Sequence, residues 1–450
     1  MKLHAMASWR LLACLGVLSV TSVHAHGGLM ETQSYTSRRG HPEDQLMGFT
    51  RGTLISRDSG ESWRWVCAEA MGYGSWIPES YVWLSGGDLL AATGKALLRS
   101  HDGGCSWVPS PAFQDAWVSS LAEHPTDDSL LYVATGRPAV TNLLYRSEDG
   151  GETWTPTPLR REAVFSTVRV APSDPKRLYV SGWVGYAMYL FRSGDAGETW
   201  EDLPQTFPSE LEGAYDLKLL SVSPAHPDVL WVRVSSRDTA GNIRYTVLRS
   251  EDGGRTLTSV LELEDPLVNM DVSADGRTSW VATYNHLYRG REGESFLPLP
   301  LPTGNACVTR VGGDLYACGS TWLHEWALAR STDEGTSWEP LFSLREVQGV
   351  HQCPAGTPVR ERCTGLWPQL AQQLGAPVSP APPDAGTPDG EVPPKTDGCG
   401  AAAGSVGMAP LLLSILLRRR GGARREHRAP GKSPGGAVGP SRYGQGEPNT

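Results

Sequence analysis

A chain of 450 residues with 51 Gly, 34 Pro and more Trp (16) than Phe (7) is too long for one ordinary domain and suits a large all-β domain with tails. The formal net charge is −9, and basic residues cluster only near the C-terminus. With no basic stripe and interleaved aromatics in the body of the chain, nucleic acid is excluded as the expected partner.

Residues 1–25 read as a signal peptide. Lys2 and Arg10 supply the positive end, Leu11 to Val20 the apolar stretch, and Val23-His24-Ala25 a small-residue cleavage site. Leu12-Ala13-Cys14 faintly resembles a lipoprotein box, but it lies at the start of the apolar stretch and is rejected. Cleavage would leave His26 first. An N-terminal His chelates copper only with a second His suitably placed, and His41 has no spacing that singles it out. No metal and no cofactor are therefore expected.

One octapeptide then recurs: Ser, any, Asp, any, Gly, any, Ser or Thr, Trp. It begins at Ser56, Ser100, Ser147, Ser193 and Ser331, with Asp58, Gly60 and Trp63, then Asp102, Gly104 and Trp107, Asp149, Gly151 and Trp154, Asp195, Gly197 and Trp200, and Asp333, Gly335 and Trp338. A sixth copy at Ser250 keeps Asp252 and Gly254 but ends in Leu257. A seventh, at Arg289, keeps only Gly293, Ser295 and an aromatic, Phe296. The starts lie 39 to 57 residues apart, the spacing of one four-stranded propeller blade per repeat. A second marker runs in phase. A turn such as His124-Pro125-Thr126-Asp127 or Gly312-Gly313-Asp314 precedes a short apolar strand (LLYVATG, LYACG) upstream of each octapeptide, and it too counts seven.

The residue types explain the motif as a turn clip between two antiparallel strands. Gly accepts positive φ, the Asp carboxylate accepts N–H bonds of its own turn, and the Trp buries a large apolar face. A calcium loop needs several oxygen ligands at alternate positions, which SEDGGETW does not offer. A catalytic role for these aspartates is likewise the weaker reading. The His of the His-Pro turns reads as turn chemistry rather than as a ligand.

These repeats resemble the Asp-box (BNR) repeats of sialidases, sortilin-type receptors and photosystem II assembly-factor-like propellers, over about residues 29 to 350. The fold expected is all-β: a seven-bladed β-propeller of four-stranded antiparallel blades over residues 26–350. Inner strands would line a channel, and the octapeptide turns would lie at the outer rim. Such a scaffold hosts many activities. Sialidases of this fold use an arginine triad and an Arg-Ile-Pro signature. Here Arg137-Pro138 is the nearest string, and Arg233, Arg237 and Arg244 fall in one repeat, which suits surface arginines better than a clamp. No phosphate loop, zinc spacing or Ser-His-Asp signature occurs, so no catalytic residue is assigned.

Six body cysteines imply disulfides in an exported protein. In a hairpin turning at Gly312-Gly313, Cys307 faces Cys318. Cys353 and Cys363 are then expected to close a short loop, which leaves Cys67 for Cys105. Residues 351–375 read as that loop and a short helix over 364–375, and residues 376–398 as a Pro-rich spacer. Residues 399–420 combine Cys399-Gly400, a short apolar stretch and an Arg cluster, and resemble the C-terminal sorting tails of myxobacterial surface proteins. The resemblance implies that Cys399 is the anchoring or processing residue. Residues 421–450 read as a disordered tail. The function expected is a monomeric, surface-anchored, non-catalytic propeller that binds a protein or glycan. The alternatives are a surface glycoside hydrolase and an envelope assembly factor. The extended repeat before Ser250 points to residues 235–245 as a specialised loop.

Overall fold

The structure, a computed structural model, describes residues 30–73, 80–114, 116–185, 187–207, 211, 213–300 and 307–378. The signal peptide, most of the Pro-rich spacer, Cys399 with its apolar segment and the tail after 420 lie outside the described residues. The chain divides into two units, residues 1–382 and 383–450, and every described residue belongs to the first. Among the described residues no helix is long and apolar enough to cross a membrane.

Seven four-stranded antiparallel sheets follow one another along the chain. Blade 1 runs Thr32–Arg38, His41–Phe49, Gly52–Ser56 and Arg64–Cys67, and blade 7 runs Cys307–Val311, Asp314–Cys318, Leu328–Ser331 and Glu339–Phe342. Each blade's first strand touches the first strand of the next, and that of blade 7 touches that of blade 1, so the ring is closed. Second strands are buried on both faces between neighbouring blades. Leu131–Thr135 and Thr278–Thr283 are buried at every position, which is why they read as continuous apolar runs rather than alternations.

Each octapeptide joins the third strand of its blade to the fourth. In blade 3, Ser147 Oγ donates to Asp149 Oδ1 (2.8 Å) and accepts from Gly151 N (2.7 Å). Asp149 accepts from Thr153 N and Thr153 Oγ1, and Trp154 Nε1 donates to Gly151 O. Asp58, Asp102, Asp195, Asp252 and Asp333 each accept from the backbone four residues on. In the six octapeptides that keep the Asp, the Gly has φ of +88 to +99°, and the residue before it is also left-handed, even where it is Ser59, Ala196 or Glu334. The Asp-centred bonds hold a backbone that those three side chains disfavour.

The seams between blades have their own fasteners, absent from the octapeptide pattern. An arginine at or beside the end of the third strand reaches the octapeptide of the next blade. Arg57 Nη2 donates to Gly103 O (3.1 Å), Arg99 pairs with Glu152 (3.0 Å), Arg146 with Glu198 (2.9 Å) and Arg291 with Glu334 (2.6 Å), while Arg192 Nη1 donates to Asp252 O (3.3 Å). At the remaining two seams the arginine turns back into its own blade, Arg249 to Glu251 and Arg330 to Asp314.

Because every blade is continuous in sequence, blades 1 and 7 share no sheet. Their seam is sealed otherwise. Thr32 N donates to Gly319 O (3.1 Å), Tyr35 stacks on Tyr316 at 4.8 Å, and Trp63 meets Phe342 at 5.5 Å. The chain after Phe342 then folds back as a strap. Gln348 N donates to Trp63 O, Trp65 N to Gly349 O, and His351 N to Trp65 O, which extends blade 1 outward. A helix over Pro358–Leu374 follows, longer than the segment 364–375 expected from sequence. Its buried residues Val359, Cys363, Trp367, Leu370, Ala371 and Leu374 recur at helical spacing. Each of the larger ones contributes about 1.5–3 kcal/mol of burial before the entropy of ordering.

The strap overturns two expected disulfides. Cys307 is joined to Cys318, as the hairpin register requires. Cys67 is joined to Cys363 and Cys105 to Cys353, not Cys67 to Cys105 or Cys353 to Cys363. Cys363 sits on the buried stripe of the helix and faces blade 1, whereas Cys353 precedes the helix and lies by the blade 2 octapeptide, where Val359 N donates to Cys105 O. The short loop cannot close because helix formation turns the two sulfurs toward different blades.

Candidate binding face

In an antiparallel blade, the hairpin between strands two and three and the connector to the next blade emerge at one end. The octapeptide turns and the turns between strands one and two emerge at the other. The exposed apolar side chains are divided unevenly between these ends. Trp117, Val140, Val184, Ile243, Tyr284 and Trp322 are all exposed and all belong to hairpins or connectors. Val108, Leu297 and Leu341 instead lie in outermost strands. Trp322, in a one-turn helix over Thr321–His324, has the Arg345 guanidinium over its ring at 5.6 Å. None of these aromatics stands out in the sequence, since Trp117, Tyr284 and Trp322 have ordinary neighbours and no shared pattern.

Charges at this end are mostly neutralised. Arg233 pairs with Asp216, Arg244 with Asp238 and Glu264, and His286 with Asp265 at 2.6 Å. Arg237 lies over Tyr215 and donates to Gly241 O. The three arginines of blade 5 therefore serve separate partners and form no common clamp. Residues 235–245 form a long hairpin, Asp238 closing its turn by accepting from Ala240 N and Asn242 N. Glu31, which the sequence reading passed over, differs. Burial, partly offset by the Gln33 amide, raises its carboxyl above the ordinary range, and its charge is felt at the Tyr284 hydroxyl.

At the opposite end the octapeptide aspartates are dispersed around the ring. Asp58 and Asp102 line a common cavity. It has a volume of about 470 Å³ and lies beneath the strap, with Arg57, Arg64 and His351 in its walls. His-Pro turns carry local roles, His124 Nδ1 accepting from Thr126 N and Asp127 N.

His351 Nε2 donates to Gly103 O at 3.1 Å. Burial, then the Arg57 and Arg64 charges, lower its pKa to about 4 against the pull of that carbonyl. The unfolded chain therefore binds a proton at this site between about pH 6.5 and pH 4 that the folded chain refuses, and stability falls as pH drops through that window. Denaturation midpoints of wild type and His351→Gln, measured at pH 7 and pH 4.5, should show a smaller acid loss for the variant. Parallel losses in the two proteins would contradict the assignment.

No protein-family model and no curated protein sequence matches the chain. Among solved structures it is similar to an ancestral GH74 enzyme, at 15% identity with a TM-score of 0.54, over 71% of this chain and 48% of that one. The chain thus spans about half the length of that enzyme. It is also similar to YCF48 from Cyanidioschyzon merolae (13% identity, 66% of this chain and 94% of that one, TM-score 0.44). A third likeness is to the GH74 xyloglucanase from Xanthomonas campestris (16% identity, 74% and 66%, TM-score 0.30). The first of these carries the β-propeller fold and nothing finer.

Proposed function

We propose that the protein is an exported, surface-tethered propeller that binds a protein or glycan partner through the hairpin and connector end of its ring, without catalysis. The observation that carries this reading is the collection of six exposed large apolar side chains, three of them aromatic, at that one end. Loops on a rigid scaffold are the usual place for binding residues, and these side chains are carried by the hairpins and connectors of five successive blades, 3 to 7. The octapeptides, read as Asp-box repeats, hold the scaffold and carry no chemistry. Three disulfides support export, since such bonds persist in oxidising compartments. The segment 1–25 would direct that export, and Cys399 with its apolar segment would supply the tether.

A second reading, glycoside hydrolysis, is favoured by one observation: the raised Glu31 carboxyl beside exposed Tyr284, suited to a proton donor if a second carboxylate faces it. Screening the full chain against neutral and acidic oligosaccharides for binding and for release of reducing ends separates the two. Saturable binding without turnover is expected. It should weaken tenfold or more in the Trp117→Ala, Tyr284→Ala, Trp322→Ala triple variant and not in Val108→Ala. Turnover abolished by Glu31→Gln would replace the binding reading with the hydrolase.

A further inference from the structure

The seam between blades 2 and 3, at the hairpin and connector end, brings an exposed tryptophan beside a tightly held hairpin. Trp117, in the connector that enters blade 3, is 37% exposed. Its indole rests on the hairpin of blade 2. A Cβ added at Gly94 would stand 3.6 Å from each of Cε2, Cζ2 and Nε1, so the backbone of that turn lies against the flat of the ring. Gly94 has φ +76°, so a side chain there would be strained, although its Cβ would sit at ordinary contact distance from the indole. The turn therefore supports the indole as a shelf.

The adjoining hairpin of blade 3 is exposed at every position from 137 to 141, yet it is held firmly. Asn142, 2% exposed, pins it from beneath. Its Oδ1 accepts from Arg137 N at 2.9 Å, and its amide donates to Arg137 O (2.7 Å), Val140 O (3.3 Å) and, across the blade, Ala163 O (2.8 Å). Ala139 is kept at φ +59°, a left-handed conformation that a residue with a Cβ adopts only under constraint. Gly136 N donates to Trp117 O at 2.9 Å, so the Trp117 backbone is tied to that hairpin. A solvent-facing loop gains nothing in burial from this ordering; what it gains is a fixed presentation of its side chains.

The side chain so presented is Arg137. Its guanidinium, like the Lys95 ammonium beside Gly94, makes no hydrogen bond or ion pair with any described residue, whereas at five seams an arginine of the octapeptide end reaches across to the next blade. An unpaired guanidinium on a held backbone is matched to a carboxylate, which it holds with two parallel hydrogen bonds. A supported indole is matched to the flat apolar face of a ring. Both features on one ligand describe a sugar that bears a carboxylate.

We propose that this seam is a subsite for acidic oligosaccharides, in which a uronate residue lies on Trp117 and its carboxylate meets Arg137, with Lys95 adding charge at the rim. This rests on the binding reading above and names the ligand class for one part of that face. Because the loop is ordered in advance, little conformational freedom is lost on binding.

The test is calorimetric titration of the full chain with tri-galacturonate, with the neutral galactose trimer, and with polyglutamate as an acidic protein mimic. Tri-galacturonate should bind at least tenfold more tightly than the neutral trimer, and its affinity should fall as salt is raised. Arg137→Gln should cost tenfold or more while leaving the melting temperature unchanged, because that side chain is exposed. Trp117→Ala should abolish binding. If Trp117→Ala fails to fold, Arg137→Gln and Lys95→Gln carry the test on their own. Equal affinity for the neutral trimer, or wild-type affinity in Arg137→Gln, overturns the subsite. Stronger binding of polyglutamate than of tri-galacturonate overturns it in favour of an acidic protein surface. A different ligand held by Tyr284 and Trp322, with tri-galacturonate not bound, overturns the subsite and leaves the binding reading standing. Turnover lost in Glu31→Gln sinks the binding reading itself.

Discussion

Replacing Cys67 and Cys363 by alanine is expected to destabilise the ring by about 2–4 kcal/mol, and replacing Cys105 and Cys353 by a similar amount. Removing both bonds should cost more than the sum, by about 1–2 kcal/mol. The reason is topological. The bonds span 296 and 248 residues and close nearly the same circuit, from the last blade's strap back to the first two blades. While either remains, the ends of the ring stay together and the other closes only a much shorter loop. With both gone, the seam between blades 1 and 7 is left to non-covalent contacts: the Thr32 bonds, the strap's backbone bonds to Trp63 and Trp65, the Tyr35 and Trp63 ring contacts and the apolar face of the helix. Urea unfolding followed by tryptophan fluorescence gives the three values. Peptide mapping without reduction should recover Cys67 linked to Cys363. Recovery of Cys67 linked to Cys105, or strict additivity of the two losses, would show that the strap does not close the ring.

Stability should fall modestly from pH 7 to pH 5 through His351 and through His124, whose pKa burial also lowers, and should collapse between about pH 4 and pH 2. The octapeptide aspartates produce the collapse. At Asp195 and Asp333, bonds from the side-chain hydroxyls of Thr199 and Ser337, then from the backbone of those residues, lower the carboxyl pKa to about 2. At Asp149 and Asp252 burial opposes ionisation, and the turn's donors outweigh it, again giving about 2. Asp58 and Asp102 are lowered in the same way. A folded pKa below the unfolded value of about 3.9 means that the stabilisation is complete above pH 4 and is lost as pH falls through the folded value. Six turns releasing their clips over one pH range should make the acid transition steep. Asp149→Asn, which keeps one acceptor but loses the charge, should cost about 1 kcal/mol at pH 7, allowing for solvent screening of an exposed group. It should also narrow the acid loss. Thermal melts from pH 7 to pH 2 check both, and an acid profile unchanged by this substitution would remove these aspartates from the explanation.

The blade count was legible in the sequence because each blade announces itself by interactions no more than four residues long. Ser, Asp and Gly contact one another within a single turn, so their identities alone define the clip. The same locality made the Cys307–Cys318 bond readable from the Gly312-Gly313 turn. Even the degenerate turn of blade 6, lacking Ser, Asp and Trp, was recovered from the strand pattern around it. Other positions were locally legible only in part. That Ala196 or Glu334 would take positive φ, for example, follows from the clip around them and not from their own preference.

Sequence by itself therefore determined an all-β ring of seven repeated sheets and the turn chemistry that closes each one, since short-range hydrogen bonding and strand burial write their patterns into neighbouring residues. Only the tertiary structure decided which cysteines meet, which arginine crosses which seam, and which aromatics remain exposed at one end. Those outcomes depend on where the chain goes after blade 7 and on how the ring brings distant turns side by side. Cys67 and Cys363, or Gly94 and Trp117, become neighbours through that geometry, and no spacing along the chain records it.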